Sequence, residues 1–145
     1  MIEVAEALNT IVSKVLTNPV VEIEMASALN CVLAENVYSP IAMPPFNQSA
    51  MDGYALCGNR KNYRVVAEIK AGDSAEELEL NLGEAARIFT GAMVPKNIWA
   101  IAKQEIVVTQ QNRIELLQTV NENANIRLSG EELELDALAM QKGEI

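Results

Sequence analysis

The sequence contains no histidine, and this absence removes several classes of mechanism. Without an imidazole, neither a Ser-His-Asp nor a Cys-His catalytic arrangement can form, and a histidine-ligated zinc site is excluded. Catalysis by this chain must therefore use carboxylates, hydroxyls, lysines, backbone amides or a hard, oxygen-bound cation such as magnesium.

Cysteines and long hydrophobic runs are also scarce. Cys31 and Cys57 form no C-x-x-C pair, so we expect two reduced, partly buried thiols. No apolar run approaches the roughly 18 residues that a membrane-spanning helix requires. The first ten residues, MIEVAEALNT, are acidic and lack the basic segment of a signal peptide. These features predict a cytoplasmic protein that has no membrane partner.

Positive charge is the third shortage. The 145 residues include 11 basic and 20 acidic side chains, which give a formal net charge of −9. Such a field repels nucleic acids and anionic membranes, because their binding depends on neutralising phosphates. We therefore expect no nucleic-acid partner, and an anionic small ligand would need local donors such as backbone amides.

The apolar pattern of the first 36 residues predicts two helices and a strand. Apolar residues recur at three- and four-residue steps from Val4 to Leu16, which is typical of an amphipathic helix that ends before Pro19. The segment 20–24, VVEIE, is consistent with a short strand. The segment 25–36, MASALNCVLAEN, predicts a second helix.

The pattern changes after residue 37, where three prolines favour extended backbone and a new lobe is expected near Phe46. The chain then predicts a compact, mostly antiparallel β lobe with a hairpin loop at 110–112, left through a polar link at 121–125. The fold class is mainly β with α+β character. The predicted strands lie near 63–70, 78–82, 85–89, 98–102, 105–109 and 113–117.

The segment 47–56, NQSAMDGYAL, allows two interpretations. Asp-Gly is a strong hairpin-turn signal, because glycine accepts positive φ and aspartate can bond to its own backbone. Alternatively, Ser49, Ala50 and Gly53 keep the backbone accessible while Asp52 presents a carboxylate that binds a cation or orients a ligand. A turn that also carries function satisfies both interpretations.

A second segment, RIFTGAMVP at 87–95, also allows two interpretations. Thr90 and Gly91 place a hydroxyl beside backbone amides, an arrangement that suits an oxyanion such as phosphate or molybdate. The simpler interpretation is a glycine turn at a strand end. The acidic cluster formed by Asp73, Glu76, Glu77 and Glu79 is expected to be a solvated loop edge and not a metal site.

Taken together, PPFNQSAMDGYAL, GEAARIFTGAMVP and the following Glu105 resemble the N-terminal region of the molybdopterin molybdotransferase family, which includes the MoeA proteins and the gephyrin E domain. The resemblance implies a mixed, helix-containing lobe of residues 1–45 and 121–145, with an inserted antiparallel β lobe of residues 46–120. It also implies a magnesium-dependent enzyme that transfers molybdate onto adenylylated molybdopterin and releases AMP. The implied protein is a homodimer with its active site in a cleft between subunits.

The same resemblance assigns residues to the implied site. Asp52 and Thr90 become the catalytic residues, and Asp52 also becomes the metal ligand. The supporting, cofactor-binding positions are Ser49, Gly53, Gly91 and Glu105.

Two departures from the family pattern bear on the expected activity. Asn97, Ile98 and Trp99 replace a loop that usually contains a carboxylate. The chain also ends where a pterin-binding domain is expected, so we expect it to be inactive alone. The alternative is a non-catalytic dimerisation or scaffold module with the same fold. The residues do not distinguish molybdate from tungstate.

Overall fold

The computed structural model describes residues 2–16 and 18–145, which form two compact units. The first contains the residues up to Asn36 together with Met140–Ile145, and the second contains Val37–Ala139. The lobe boundaries predicted at residues 46 and 120 stay a prediction.

One α-helix and ten strands are described. The helix α1 is Val4–Lys14, and short 3-10 helices occupy Met25–Ser27 and Gln104–Ile106. The strands are β1 (Val37–Tyr38), β2 (Gln48–Ser49), β3 (Gly53–Leu56), β4 (Asn62–Ile69), β5 (Glu84–Ile88), β6 (Ala100–Lys103), β7 (Val107–Gln110), β8 (Arg113–Leu116), β9 (Ile126–Arg127) and β10 (Leu138–Met140).

The second unit is built on a six-stranded sheet with the order β6-β3-β5-β4-β8-β7. Only β4 and β5 run parallel, and the other neighbours are antiparallel, so the predicted antiparallel β fold is confirmed. The predicted hairpin joins β7 to β8, and Gln111 adopts a positive φ of 53° in its loop. Two short pairs, β1 with β10 and β2 with β9, lie outside this sheet.

The sheet carries hydrophobic residues on both faces near its centre. On β5, the consecutive residues Ala85 and Ala86 belong to different core clusters, and both are fully buried. One cluster includes Ile69 and Ile88, and the other includes Leu56 and Tyr63. Because consecutive side chains of a strand point to opposite faces, both faces of the sheet are covered at this point. The alternating pattern expected for a half-exposed strand is found on β4 instead.

In the first unit, the predicted helix is confirmed and the two elements expected after it are wrong. Helix α1 ends at Lys14, and its large apolar residues are exposed. Residues 20–24 form no strand, and residues 25–36 contain only the 3-10 helix Met25–Ser27. Asn30 adopts a left-handed φ of 64°, which interrupts a helix at that point.

Other predictions fail for identifiable reasons. Residues 78–82 are not a strand, although Leu80 is buried, because side chains and not a strand partner hold this segment. Cys31 is exposed, contrary to the expected partial burial, whereas Cys57 is half-buried, and both are free thiols. Within residues 2–16 and 18–145, no helix is long and apolar enough to cross a membrane.

Candidate functional site

Asp52 and Thr90 lie side by side at the ends of two loops of the second unit. The backbone N–H of Thr90 and its side-chain hydroxyl both donate to Oδ1 of Asp52, each at 2.8 Å. Both residues are exposed. The two sequence segments that suggested a site are therefore in direct contact through their most reactive side chains.

Ser49 connects these two loops through hydrogen bonds of its side chain and its backbone. Its side chain is buried, and its hydroxyl donates to the carbonyl of Met51 at 2.6 Å. Its backbone N–H donates to the carbonyl of Ala92, and its carbonyl accepts from the N–H of Gly91 at 2.8 Å. Ser49 thus contributes by fixing the turn that carries Asp52, and its hydroxyl is occupied within that turn.

Gly53 is required for a reason that the sequence did not reveal. It is the first residue of β3 and is not among the glycines with positive φ. A Cβ atom at this position would lie 1.9 Å from the carbonyl oxygen of Ala102 on β6. The Asp-Gly pair is also not a hairpin turn, because β2 pairs with β9 while β3 pairs with β5 and β6. The hairpin interpretation is therefore wrong.

The two remaining predicted residues, Gly91 and Glu105, have different relations to Asp52. Gly91 has a φ of 80°, as the glycine turn predicted, and has open space where a side chain would stand. Glu105 is exposed in the 3-10 helix, next to Gln104, whose N–H donates to the carbonyl of Asp52 at 3.1 Å. The Gln104 amide also contacts Oε1 of Glu105 at 3.4 Å. Glu105 is thus connected to Asp52 through its neighbour.

The hydrogen bonds from Thr90 favour the ionised form of Asp52. The backbone N–H of Thr90 is the largest cause of a lowered Asp52 pKa, followed by the Thr90 hydroxyl, and the positive charge of Arg87 acts in the same direction. Desolvation of the carboxylate opposes them, with an effect smaller than that of the Thr90 hydrogen bonds and larger than that of Arg87. Oδ1 accepts both donors, whereas Oδ2 has no hydrogen bond among the described residues. The site therefore presents one fixed and one available carboxylate oxygen.

Arg87 is the main residue that the sequence analysis missed. One terminal nitrogen of its guanidinium donates to the carbonyl of Gly53 at 2.9 Å, and the other donates to Oε1 of Gln104 at 2.7 Å. The guanidinium carbon lies 5.1 Å from the centre of the Tyr54 ring and 4.8 Å from that of Phe89. The feature that could have identified Arg87 is its position within a mostly apolar strand, where it is half-buried.

Asn125 is the second missed residue. The segment 121–125, predicted to be a polar link leading out of the β lobe, contacts both the sheet and the Asp52 loop through Asn125. The side-chain amide of Asn125 donates to the carbonyl of Ile101 at 2.7 Å, and its own carbonyl accepts from the N–H of Ala50 at 2.9 Å. Its φ of 59° is one that asparagine tolerates well.

The unusual loop at residues 97–99 has a structural role. The Asn97 side chain donates to the carbonyl of Leu80 and accepts from its N–H, at 2.5 and 3.4 Å. Trp99 is partly buried against the core, and its N–H donates to the carbonyl of Leu56. This loop therefore holds residues 78–82 in place.

The Asp52 carboxylate offers one oxygen that could bind a metal. In the part of the chain that the structure describes, no group of three or more His, Cys, Asp or Glu side chains could hold a metal ion. A single carboxylate oxygen suits magnesium, which often keeps several waters and shares its remaining positions with substrate phosphates. Asp52 could hold such an ion through Oδ2.

Comparisons with known proteins agree on one family. Residues 2–145 match the family model described as the MoeA N-terminal region, domains I and II. A Methanocaldococcus jannaschii protein named for molybdopterin biosynthesis is 34% identical over 129 residues, covering 86% of this chain and 31% of that protein. A molybdopterin molybdenumtransferase of Staphylococcus aureus strain MRSA252 is 29% identical over 153 aligned positions, covering 99% of this chain and 36% of its own length.

Solved structures give the same result. The crystal structure of the molybdopterin biosynthesis MoeA protein from Pyrococcus horikoshii OT3 superposes with a TM-score of 0.76 at 29% identity, covering 83% of this chain and 34% of that one. A further MoeA structure from the same species has the same TM-score and 27% identity, covering 97% of this chain and 38% of the other. The chain spans about a third of the length of these relatives.

Proposed function

The chain belongs to the MoeA family, whose N-terminal region it matches, and from this premise we propose that it is part of a molybdopterin molybdotransferase. The proposed enzyme inserts molybdate into adenylylated molybdopterin and releases AMP, in a step that requires magnesium. Curated relatives that carry the name molybdopterin molybdenumtransferase support this proposal. The observation that carries it in this chain is the exposed contact between Asp52 and Thr90.

In this proposal, Asp52 is the residue that faces the substrate. Because Thr90 fixes Oδ1, the orientation of the carboxylate is set before any ligand binds, and preorganised charge is the most effective kind in an active site. Asp52 would hold magnesium through Oδ2, where the ion would neutralise phosphate charge on the bound substrate. The lowered pKa of Asp52 keeps the carboxylate ionised for this purpose.

Thr90 acts through Asp52 and not on an oxyanion. Its N–H and its hydroxyl both donate to Oδ1, and the N–H of Gly91 donates to the carbonyl of Ser49. The donors that suggested an oxyanion site are therefore occupied within the protein. The roles of Thr90, Gly91 and Ser49 in this proposal are to orient Asp52 and to leave open space beside it.

We further propose that the protein is a homodimer and that Asp52 faces a cleft completed by the partner subunit. The apolar face of α1 supports a self-association surface, because Leu8 and Ile11 are 56% and 61% exposed. Exposed apolar stripes of this kind mark interaction surfaces in soluble proteins.

The test compares Asp52→Asn with Asp73→Asn in the protein encoded by the complete reading frame. Asp73 is also an exposed aspartate that accepts a backbone N–H, from Lys70 at 2.8 Å. Molybdenum insertion into adenylylated molybdopterin is measured with saturating magnesium. We expect Asp52→Asn to lower the rate by about 100-fold, as loss of one preorganised charge does, while Asp73→Asn retains activity. Equal rates in both variants would refute the assignment of Asp52.

The scaffold alternative makes a different prediction. It requires that the unaltered protein bind no adenylylated molybdopterin and release no AMP under the same conditions. The substituted loop at residues 97–99 does not favour this alternative, since Asn97 and Trp99 are accounted for by their contacts with Leu80 and Leu56.

A further inference from the structure

Arg87 contacts residues on three segments close to Asp52, and we propose that it is the positioning residue of the site. In this role, which rests on the proposed function, its guanidinium holds the Asp52 loop and the 3-10 helix Gln104–Ile106 in a single arrangement. The proposal depends on two hydrogen bonds, to Gly53 and Gln104, and on two ring contacts, to Tyr54 and Phe89.

The hydrogen bonds form a closed circuit. One guanidinium nitrogen of Arg87 donates to the carbonyl of Gly53, the residue that follows Asp52. The other nitrogen donates to the side chain of Gln104, and the backbone N–H of Gln104 donates in turn to the carbonyl of Asp52. Because each contact closes on the next, the Asp52 loop cannot move away from the 3-10 helix without breaking at least one of them.

The aromatic contacts fix the guanidinium itself. Its carbon lies 5.1 Å from the ring centre of Tyr54, which follows Gly53, and 4.8 Å from that of Phe89, which precedes Thr90. Stacking on aromatic rings is favourable for a planar cation and restricts its rotation. Tyr54 lies on β3 two residues after Asp52, and Phe89 lies directly before Thr90, so the same cation contacts the chain next to each of the two site residues.

The chemistry of this arrangement requires arginine. A guanidinium presents donors in a rigid planar fork, whereas a lysine ammonium is a point charge that cannot reach both acceptors in the same geometry. Both terminal nitrogens of Arg87 donate within the protein, to Gly53 and Gln104. Arg87 therefore acts through Asp52 and is not proposed to bind the substrate.

The test uses Arg87→Lys, with Arg64→Lys as the matched control. Arg64 lies on the neighbouring strand β4 and makes an ion pair with Glu84 away from the Asp52 loop. Amide hydrogen exchange is measured by NMR on the 145-residue chain. We expect exchange at the Thr90 and Gln104 amides to accelerate about tenfold in Arg87→Lys, the effect of losing one hydrogen bond's free energy. Arg64→Lys should leave both amides unchanged.

A second variant covers the possibility that Arg87→Lys does not fold. Gln104→Met keeps the size of the side chain and removes the acceptor for one guanidinium nitrogen, and the same two amides should exchange faster. Unchanged exchange at Thr90 and Gln104 in folded Arg87→Lys or Gln104→Met would overturn the proposal.

The result of the exchange experiment can be distinguished from a failure of the proposed function. In the protein encoded by the complete reading frame, Arg87→Lys should lower kcat for molybdenum insertion with little change in KM, because a positioning residue affects orientation more than binding. Faster amide exchange without any transferase activity in the unaltered protein would refute the proposed function and leave the positioning role intact. Faster exchange with an unchanged kcat would refute the positioning of a catalytic Asp52.

Discussion

At the scale of single residues, the site depends on short polar contacts between loops. Asp52 receives two hydrogen bonds from one residue, Thr90, that lies 38 positions away in the chain. Hydrogen bonds to a charged acceptor are stronger than those between neutral groups. The contact therefore fixes the relative position of the two loops. It also favours the ionised form of the Asp52 carboxylate.

The packing of β3 against β6 requires that residue 53 have no Cβ atom. The residue lies where β3 approaches β6, opposite Lys103 in the strand register. Its backbone conformation is not left-handed, so glycine is not needed for its φ. It is needed because the carbonyl oxygen of Ala102 occupies the place that a Cβ atom would take.

We predict that Gly53→Ala lowers the free energy of unfolding by about 3 kcal/mol, since overpacking against a backbone atom forces the strands apart. The matched control is Gly72→Ala, because Gly72 has a positive φ of 95° and no neighbouring atom within 4 Å of the built Cβ. That change should cost only about 1 kcal/mol, from backbone strain. Urea unfolding followed by Trp99 fluorescence measures both, and an equal cost for the two would contradict the steric explanation.

At the scale of elements, the start of β5 is held by a single carboxylate. Oε2 of Glu84 accepts from the backbone N–H and the side-chain amide of Asn81, at 2.9 and 3.1 Å, and Oε1 accepts from Arg64. The N–H of Asn81 is the largest cause of a lowered Glu84 pKa, and the Arg64 contact adds to it. The turn that precedes β5 and the side of β4 are thus joined at one residue.

This contact predicts a pH-dependent contribution to stability. Since the Glu84 pKa is lower in the folded chain than its ordinary value of 4.5, its contribution is complete above that pH and is lost as the pH falls through the folded pKa. We expect Glu84→Gln to destabilise the chain at pH 7, with the difference from the unaltered chain shrinking below pH 4.5.

Urea unfolding at a series of pH values measures this difference. The control is Glu115→Gln, because Glu115 forms a more exposed ion pair with Lys61, and exposed pairs contribute little. A difference between Glu84→Gln and the unaltered chain that grows on acidification would contradict the explanation.

Comparing the predicted with the observed helices and strands shows which sequence patterns were sufficient to predict them. Periodic segments such as α1 and β4 were predicted correctly, because their own side chains carry the pattern. The strand expected at residues 78–82 has a similar pattern but no partner strand, and Asn97 supplies its hydrogen bonds instead. Pairing between distant segments is a tertiary property, so periodicity alone could not decide it.

The candidate site was predictable only in part, for the same reason. Two motifs brought Asp52 and Thr90 to attention, and the structure joins them. The residues that hold them, Arg87 and Asn125, act through contacts with segments 17 and more positions away. Arginine and asparagine are common throughout proteins, so only their contacts in the folded chain identify these two as residues that support the site.

At the scale of the whole molecule, apolar surface is distributed unevenly. The sheet of the second unit is covered on both faces at its centre, whereas the large apolar residues of α1 in the first unit are exposed. Half of the residues are hydrophobic, although the net charge is −9. Charge of one sign opposes non-specific association, so a stable dimer would need a specific apolar surface.

The proposed homodimer gives α1 a testable role. We predict that Leu8→Glu, in the middle of its apolar face, raises the dissociation constant of the dimer by at least about tenfold, because burying a leucine contributes about 2 kcal/mol and a buried carboxylate opposes association. Thr10→Glu is the control, since it adds the same charge on the polar face of the same helix. Sedimentation across a concentration series measures both variants. If Leu8→Glu and Thr10→Glu associate equally, or if the unaltered chain is monomeric throughout, α1 is not the dimer surface.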